Sequence, residues 1–303
     1  PTMNTSRATK WRESGRFTPR LSPMKMIIRK EQAMHLFFTD LDGTLLTDDK
    51  IITPKTLEAI DAYIGAGNKF IITSGRPFNT IREVAKRTGL DKYEDLLLIC
   101  YNGSMIYDCG LEKPLLDLRL DPEDALHIID TAEEMDIHCQ TYSSTKVVCR
   151  HHDRESDYYA HQTQMNFIYD EDILSHLDEA PHKALAISMD DRAKLERLQE
   201  KLAPWMEGKL TTVFSCPEYL EFVDHRSGKG NAVRYVCDLY GIPVSEAYAA
   251  GDANNDFSML SAAGNSIAMI NGSDEVKAIS SIITTKDNNH DGLAEILFSL
   301  AAK

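Results

Sequence analysis

The chain predicts a doubly wound, Rossmann-like parallel α/β sheet with an α+β unit inserted into it. Three observations carry that expectation. From residue 35, short apolar runs alternate with helical patterns, as in successive βαβ units. The alternation breaks between about residues 110 and 215 and then resumes. Polar clusters follow the apolar runs at wide spacing, where sheets of this kind carry their ligand-binding loops.

Leu36-Phe37-Phe38 reads as a buried strand. Thr53-Pro54 starts a helix, with proline at the first helical position. Leu57, Ile60, Tyr63 and Ile64 continue it until Gly65 and Gly67. Phe70 to Thr73 is the second strand, and Pro77 opens a helix that Gly89 closes. Leu96 to Cys100 is the third strand, and the Asn102-Gly103 turn leads into Met105-Ile106-Tyr107. The inserted unit reads as a helix (Pro122 to Met135), two strands (His138 to Tyr142, Lys146 to Arg150), a polar helical stretch, a strand (Ala184 to Ser188), a helix (Arg192 to Leu202) and a strand (Leu210 to Phe214). The apolar run Leu220 to Val223 comes next. After it stand a helix past Gly230, a strand at Tyr248, a helix from Phe257, a strand at Ile267 and a final helix from Gly292. The expected division is a basic extension over 1–33, a core over 34–109 and 216–303, and the inserted unit over 110–215.

Composition narrows the function. Of 303 residues 43% are hydrophobic, enough for a sizeable core, and no apolar run reaches the ~18 residues of a membrane-spanning helix. A net charge of −14 argues against nucleic acid as a general partner, because a phosphate backbone demands a basic surface. A small anionic substrate stays compatible, since a local field can oppose the net charge. The six cysteines show no Cys-x-x-Cys spacing, so zinc and redox motifs are not expected. Reduced thiols, some packed in the core, point to the cytoplasm. Residues 1–33 hold eight Lys and Arg against Glu13 and Glu31, a charge of +6 that leaves −20 for the remainder. Acid-poor, Arg- and Ser-rich leaders resemble transit peptides. The expectation is instead an upstream extension, with Met24, Met26 or Met34 as a start, and no part in catalysis.

Asp40-Leu41-Asp42-Gly43-Thr44 is the most informative stretch. It follows the first strand, and residues i and i+2 of an extended chain point the same way. Two neighbouring carboxylates repel unless a cation or a proton holds them, which implies a metal, shared-proton chemistry or both. Asp-Gly also spells a plain turn. Three further clusters follow apolar runs: Ser74-Gly75-Arg76, Ser227-Gly228-Lys229-Gly230 and Gly251-Asp252-Ala253-Asn254-Asn255-Asp256. An EF-hand is excluded, because Gly43 comes fourth from Asp40 rather than sixth. No dinucleotide fingerprint or Walker sequence occurs. His151-His152-Asp153 and His161 match no ligand spacing and read as solvated.

The four motifs in this order resemble the haloacid dehalogenase (HAD) superfamily of phosphotransferases, and within it the Cof-type sugar-phosphate phosphatases. The resemblance covers nearly everything after residue 34 and implies a capped HAD core. It makes Asp40 the nucleophile that forms an aspartyl-phosphate and Asp42 the general acid/base, which must hold a proton near neutral pH for the first step. It puts the Asp40 side chain, the Asp42 carbonyl and the Asp252 side chain around Mg2+, with Asp256 and Asn255 supporting the metal or its waters. Gly251 to Asp256 read equally as an Asx turn capping the helix from Phe257. Ser74 and the Gly75 amide would hold phosphate oxygens, Asn102 would reach the pocket, and Lys229 would supply a fixed positive charge. The plain alternative for Lys229 is a solvated lysine in a first helical turn, where it opposes the helix dipole at roughly 0.3 to 1 kcal/mol. The expected function is a Mg2+-dependent phosphatase of small phosphorylated metabolites, with sugar phosphates as the class. A phosphomutase and a non-catalytic metabolite sensor are the alternatives. No nucleic acid or membrane partner is expected, specificity should lie between about 110 and 215, and the oligomeric state is not legible.

Overall fold

A computed structural model describes residues 34–302. The basic segment 1–33 and its assignment as an extension lie outside the described residues. The first strand is β1 (Leu36–Thr39), followed by α1 (Pro54–Gly65), β2 (Lys69–Thr73), α2 (Phe78–Thr88), β3 (Leu97–Cys100), β4 (Met105–Asp108) and β5 (Lys113–Asp117). Then come α3 (Pro122–Glu133), β6 (His138–Tyr142), β7 (Lys146–Cys149), α4 (Arg154–Thr163), β8 (Asn166–Tyr169), β9 (Ala184–Ile187), α5 (Arg192–Met206), β10 (Leu210–Cys216) and β11 (Tyr219–Asp224). The chain finishes with α6 (Lys229–Tyr240), β12 (Tyr248–Gly251), α7 (Phe257–Ala262), β13 (Asn265–Ala268), α8 (Asp274–Ile279), β14 (Ile282–Ile283) and α9 (Ala294–Ala301).

The larger sheet has the order β14-β13-β12-β1-β2-β3-β4-β5. It is parallel from β14 to β3 and antiparallel over β3-β4-β5. Buried on both faces, β1 reads as an unbroken apolar run, as a central parallel strand must. Alternate residues face opposite sides. Phe37, Phe70, Ile72 and Leu98 pack with residues of α1, α2 and α9, while Leu36, Phe38, Ile71 and Leu97 pack with α6 and α7. From β1 the chain builds outward to β2 and β3, and from β12 the other way to β13 and β14. Strand order therefore reverses between β1 and β12, the place where such sheets open a crevice.

Helix ends follow the residues that predicted them. The Thr53 hydroxyl accepts from the Thr56 amide ahead of Pro54, and Gly89 closes α2 in the left-handed conformation.

The smaller sheet has the order β10-β11-β9-β6-β7-β8. Helices α3 and α5 cover one face through Ile128, Leu198 and Phe222, and the other face holds Tyr142, Leu185, Ile187 and Tyr159 of α4. Strand membership differs from the sequence expectation at both borders. β5 pairs with β4 in the larger sheet, and β11 pairs with β9 and β10 in the smaller one. The chain leaves the larger sheet after residue 117 and returns after 224, rather than at 110 and 215. Leu220 and Phe222, expected to re-enter the core, fill the smaller unit instead. An apolar run announces a buried strand but not which sheet receives it. β8, α8 and the two-residue β14 were also not anticipated. Both crossings meet Ser104: the Leu118 amide donates to its carbonyl (2.7 Å), and its hydroxyl donates to that of Ser227 (3.0 Å). All six cysteines are unpaired, and no described helix is long and apolar enough to cross a membrane.

Candidate active site

At the reversal, the Asp40 amide donates to the Ala250 carbonyl (2.9 Å), which fixes the end of β1 against β12. The Asp40 side chain is buried. Lys229, at the start of α6, puts Nζ 2.6 Å from Asp40 Oδ1 and 2.6 Å from Asp256 Oδ1. Lys229 is only 1% exposed, so the solvated-lysine alternative does not hold. Burial alone would lower its pKa, but Asp256 and Asp40 overcome this and hold the ammonium charged. Asp40 is pushed well above the usual carboxylate range, first by burial and then by Asp256, against the pull of Lys229. One ammonium does not neutralise this many carboxylates.

Asp256 organises the loop after β12. Its Oδ2 accepts from the amides of Asp252 (3.0 Å) and Ala253 (3.2 Å). It thus caps backward onto its own loop, and its side chain makes no cap bond to α7. Thr44 donates its hydroxyl to Asp252 Oδ1 (2.7 Å). Burial pushes Asp252 up to about 6; the Thr44 bond opposes this and the Asp256 charge adds to it.

Asp40, Asp252 and Asp256 can each offer an oxygen within 4.8 Å of the others. An all-oxygen anionic set fits a hard divalent cation. Among the described residues no side chain or backbone donor occupies Asp40 Oδ2 or Asp252 Oδ2, whereas both Asp256 oxygens already accept bonds. The Asn255 side-chain oxygen is buried and unpartnered in the same loop. Gly43, at φ +77°, lies so close that a Cβ there would stand 2.5 Å from Asp252 Oδ2. Gly43→Ala is therefore expected to destabilise the fold by about 1–3 kcal/mol through left-handed strain and to displace Asp252. Chemical denaturation and Mg2+ titration check this, and unchanged cation affinity would contradict it.

Asp42 departs from expectation. Its carboxylate is not among the three that cluster, and it accepts from Arg76 Nε (2.7 Å), Arg76 Nη2 (2.6 Å) and Lys50 Nζ (2.8 Å). Burial raises its pKa, but the Arg76 guanidinium and then Lys50 outweigh it, and the net shift is downward. These contacts therefore oppose the proton expected on Asp42.

Ser74 and Asn102 end neighbouring strands, and their loops are laced together. The Asn102 amide donates to the Ser74 carbonyl (3.1 Å), the Tyr101 amide to the Arg76 carbonyl (3.1 Å), and the Arg76 amide to Ser74 Oγ (3.2 Å). Asn102 is buried in a left-handed conformation (φ 53°) and covers Gly75, where a Cβ would come 2.9 Å from its amide group. Its Nδ2 donates to Glu221 Oε2 (2.9 Å). A groove of about 630 Å³ opens beside Arg76, lined among others by Lys50, Asn79, Arg87, Tyr142 and Thr145.

All nine residues expected from sequence thus lie in the loops after β1, β2, β3 and β12 or at the start of α6, with Asp42 and Asn102 differently engaged. Arg76, Lys50, Thr44, Lys183 and Glu221 were missed. Arg76 and Thr44 stood inside the motifs, and Glu221 was an acid in an otherwise apolar strand. Lys50 and Lys183 gave no signal.

Residues 37–297 match the model of the haloacid dehalogenase-like hydrolases. The chain belongs to the haloacid dehalogenase-like hydrolase family. Within this hydrolase family it falls with the Cof-type phosphatases. It is 30% identical to a 5-amino-6-(5-phospho-D-ribitylamino)uracil phosphatase of Bacillus subtilis, over 86% of this chain and 96% of that protein. It is 28% identical to the pyridoxal phosphate phosphatase of Escherichia coli, over 86% and 96%. A haloacid dehalogenase-like hydrolase from Bacteroides thetaiotaomicron superposes with a TM-score of 0.78 at 26% identity, covering 88% of this chain and all of the other.

Proposed function

We propose that this protein is a cytoplasmic, Mg2+-dependent phosphatase of small phosphorylated metabolites, sugar phosphates foremost, working through an aspartyl-phosphate on Asp40. The observation that carries the reading is Asp40 itself: a buried carboxylate at the strand reversal, tied to Lys229 through one oxygen, while the other accepts from no donor among the described residues. Asp40 attacks phosphorus, and the bond from phosphorus to the ester oxygen breaks. Asp42 gives the leaving alkoxide a proton, then takes one from the water that cleaves the acyl phosphate. Because Arg76 and Lys50 hold Asp42 charged at rest, substrate binding must loosen those contacts before the first step. Lys229 neutralises charge on Asp40 and on the transferring group. Ser74 and the Gly75 amide bind phosphate oxygens. Asp40, the Asp42 carbonyl and Asp252 would hold Mg2+, with Asp256 and Asn255 behind them. The ion, when bound, offsets repulsion between carboxylate and phosphate. We divide the chain into a core over 34–117 and 225–302 and a cap over 118–224, which excludes water and selects the leaving group.

Phosphate release from sugar phosphates, pyridoxal phosphate and an aryl phosphate, with and without Mg2+, tests this reading. Metal-dependent turnover is expected. Turnover indifferent to chelation, or none from folded protein, would overturn it.

The same cluster predicts a pH-dependent response to metal. The folded pKa of Asp252, about 6, lies above its ordinary value, so its proton stabilises the metal-free fold at low pH. That contribution is lost as pH rises through about 6. Cation and proton compete for the group, so Mg2+ should raise the melting temperature at pH 7.5 and much less at pH 5. An equal shift at both values, by calorimetry, would contradict it.

A further inference from the structure

Lys183 immediately precedes β9, and Glu221 lies in the adjacent strand β11, opposite Leu185. Two residues apart along the chain entering β9, Lys183 and Leu185 share a face, so the lysine and the glutamate meet on the side of the smaller sheet away from α3 and α5. Lys183 Nζ stands 3.1 Å from Glu221 Oε1, and both residues are buried, 2% and 3% exposed. Neither partner stops there. Glu221 Oε2 takes Asn102 Nδ2 (2.9 Å), and Lys183 Nζ donates to the Gly75 carbonyl (3.4 Å). Both contacts cross from the smaller unit to the loops after β2 and β3. Burial would lower the Lys183 pKa, but Glu221 outweighs it and keeps the ammonium charged.

A carboxylate only accepts, so the Asn102 amide nitrogen faces Glu221 and donates to it, and Asn102 Oδ1 is left buried and unpartnered. One of the two Asn102 amide hydrogens is therefore spent on the smaller unit rather than on a phosphate oxygen. Its left-handed backbone, uncommon for a residue other than glycine, persists because its surroundings hold it.

We propose that the Lys183–Glu221 pair is a positioning device, through which the smaller unit sets the Ser74–Arg76 turn by way of the Asn102 amide and the Gly75 carbonyl. This rests on the reading of Ser74 and Gly75 as the phosphate-binding turn. Lys183, Glu221 and Asn102 are positioning residues; phosphate is touched by the turn they hold. A buried ion pair is commonly replaceable by apolar residues without loss of stability, which separates positioning from mere packing.

The decisive comparison is Glu221→Gln, Glu221→Ala and the apolar double replacement Lys183→Met with Glu221→Leu. Steady-state kinetics on an aryl phosphate, inhibition by inorganic phosphate, and amide hydrogen exchange of residues 74–76 and 101–104 are measured on each. The double replacement is expected to stay folded and to lose less melting temperature than Glu221→Ala, to weaken phosphate binding and raise KM by about tenfold or more, and to lose exchange protection in both loops. Glu221→Gln keeps an acceptor for Asn102 and should recover part of the protection, which Glu221→Ala should not. Wild-type KM and protection in the double replacement would overturn the proposal. If the wild type hydrolyses nothing, the phosphatase reading fails. The exchange data then decide alone whether the pair holds the turn.

Discussion

Asp40→Asn is expected to abolish phosphate release, by roughly 10⁴-fold or more, since removing a covalent nucleophile leaves only the residual effect of binding. The fold should not suffer. Burial and the neighbouring Asp256 make a charged Asp40 unfavourable, and Lys229 retains Asp256 as a partner at 2.6 Å. The neutral isostere removes one of several crowded carboxylates, so the melting temperature should stay level or rise. Phosphate release and calorimetry on the same preparation check both halves. Substantial turnover by the variant would exclude Asp40 as nucleophile, and collapse of the fold would show the cluster to be structural.

Lys229→Met is expected to cost both activity and fold. The lysine is the single cation within salt-bridge reach of Asp40 and Asp256 among the described residues, and it is fully buried. Removing one member of a buried ionic cluster typically costs about 3–5 kcal/mol, because the remaining charge is stranded. Urea denaturation should show that loss at pH 7.5. The loss should shrink as the pH falls, when protons take over the role of the lysine. Adding Asp256→Asn should recover part of the stability and none of the activity. A Lys229→Met protein as stable as the wild type would mean the carboxylates are neutralised some other way.

Much of this was legible in the chain, and for physical reasons. Leu36-Phe37-Phe38 is apolar without interruption because both faces of β1 are covered, and Asp40 follows because the crevice opens where that strand stops. That Asp40 and Lys229, 189 residues apart, serve one site was implied by family resemblance rather than by any local pattern, and their direct ion pair was not foreseen. The state of Asp42 was not legible. Its proton depends on Arg76 and Lys50, which reach it from separate loops, and no spacing encodes that meeting. Glu221 was visible as an acid among Leu220, Phe222 and Val223, yet its partner Lys183 belongs to another strand, and strand partners are set by the sheet rather than by the run. The sheets joined by residues 113–117 and 219–224 were not legible for the same reason.

Ser104 touches both chain crossings: its carbonyl takes the Leu118 amide, and its hydroxyl meets Ser227. The segment between them is thus a closed excursion whose two ends are pinned side by side. Insertions with adjacent ends are the ones that a host fold tolerates and that can be exchanged whole. A chimera joined at 118 and 224 should therefore keep Asp40, Asp252 and Lys229 in register. It would exchange Lys183 and Glu221 along with the graft, so a donor segment lacking an equivalent pair should fold and yet bind phosphate poorly. On the division proposed above, the seam at Ser104 would make substrate range a portable property of this chain, while the chemistry would stay with the host.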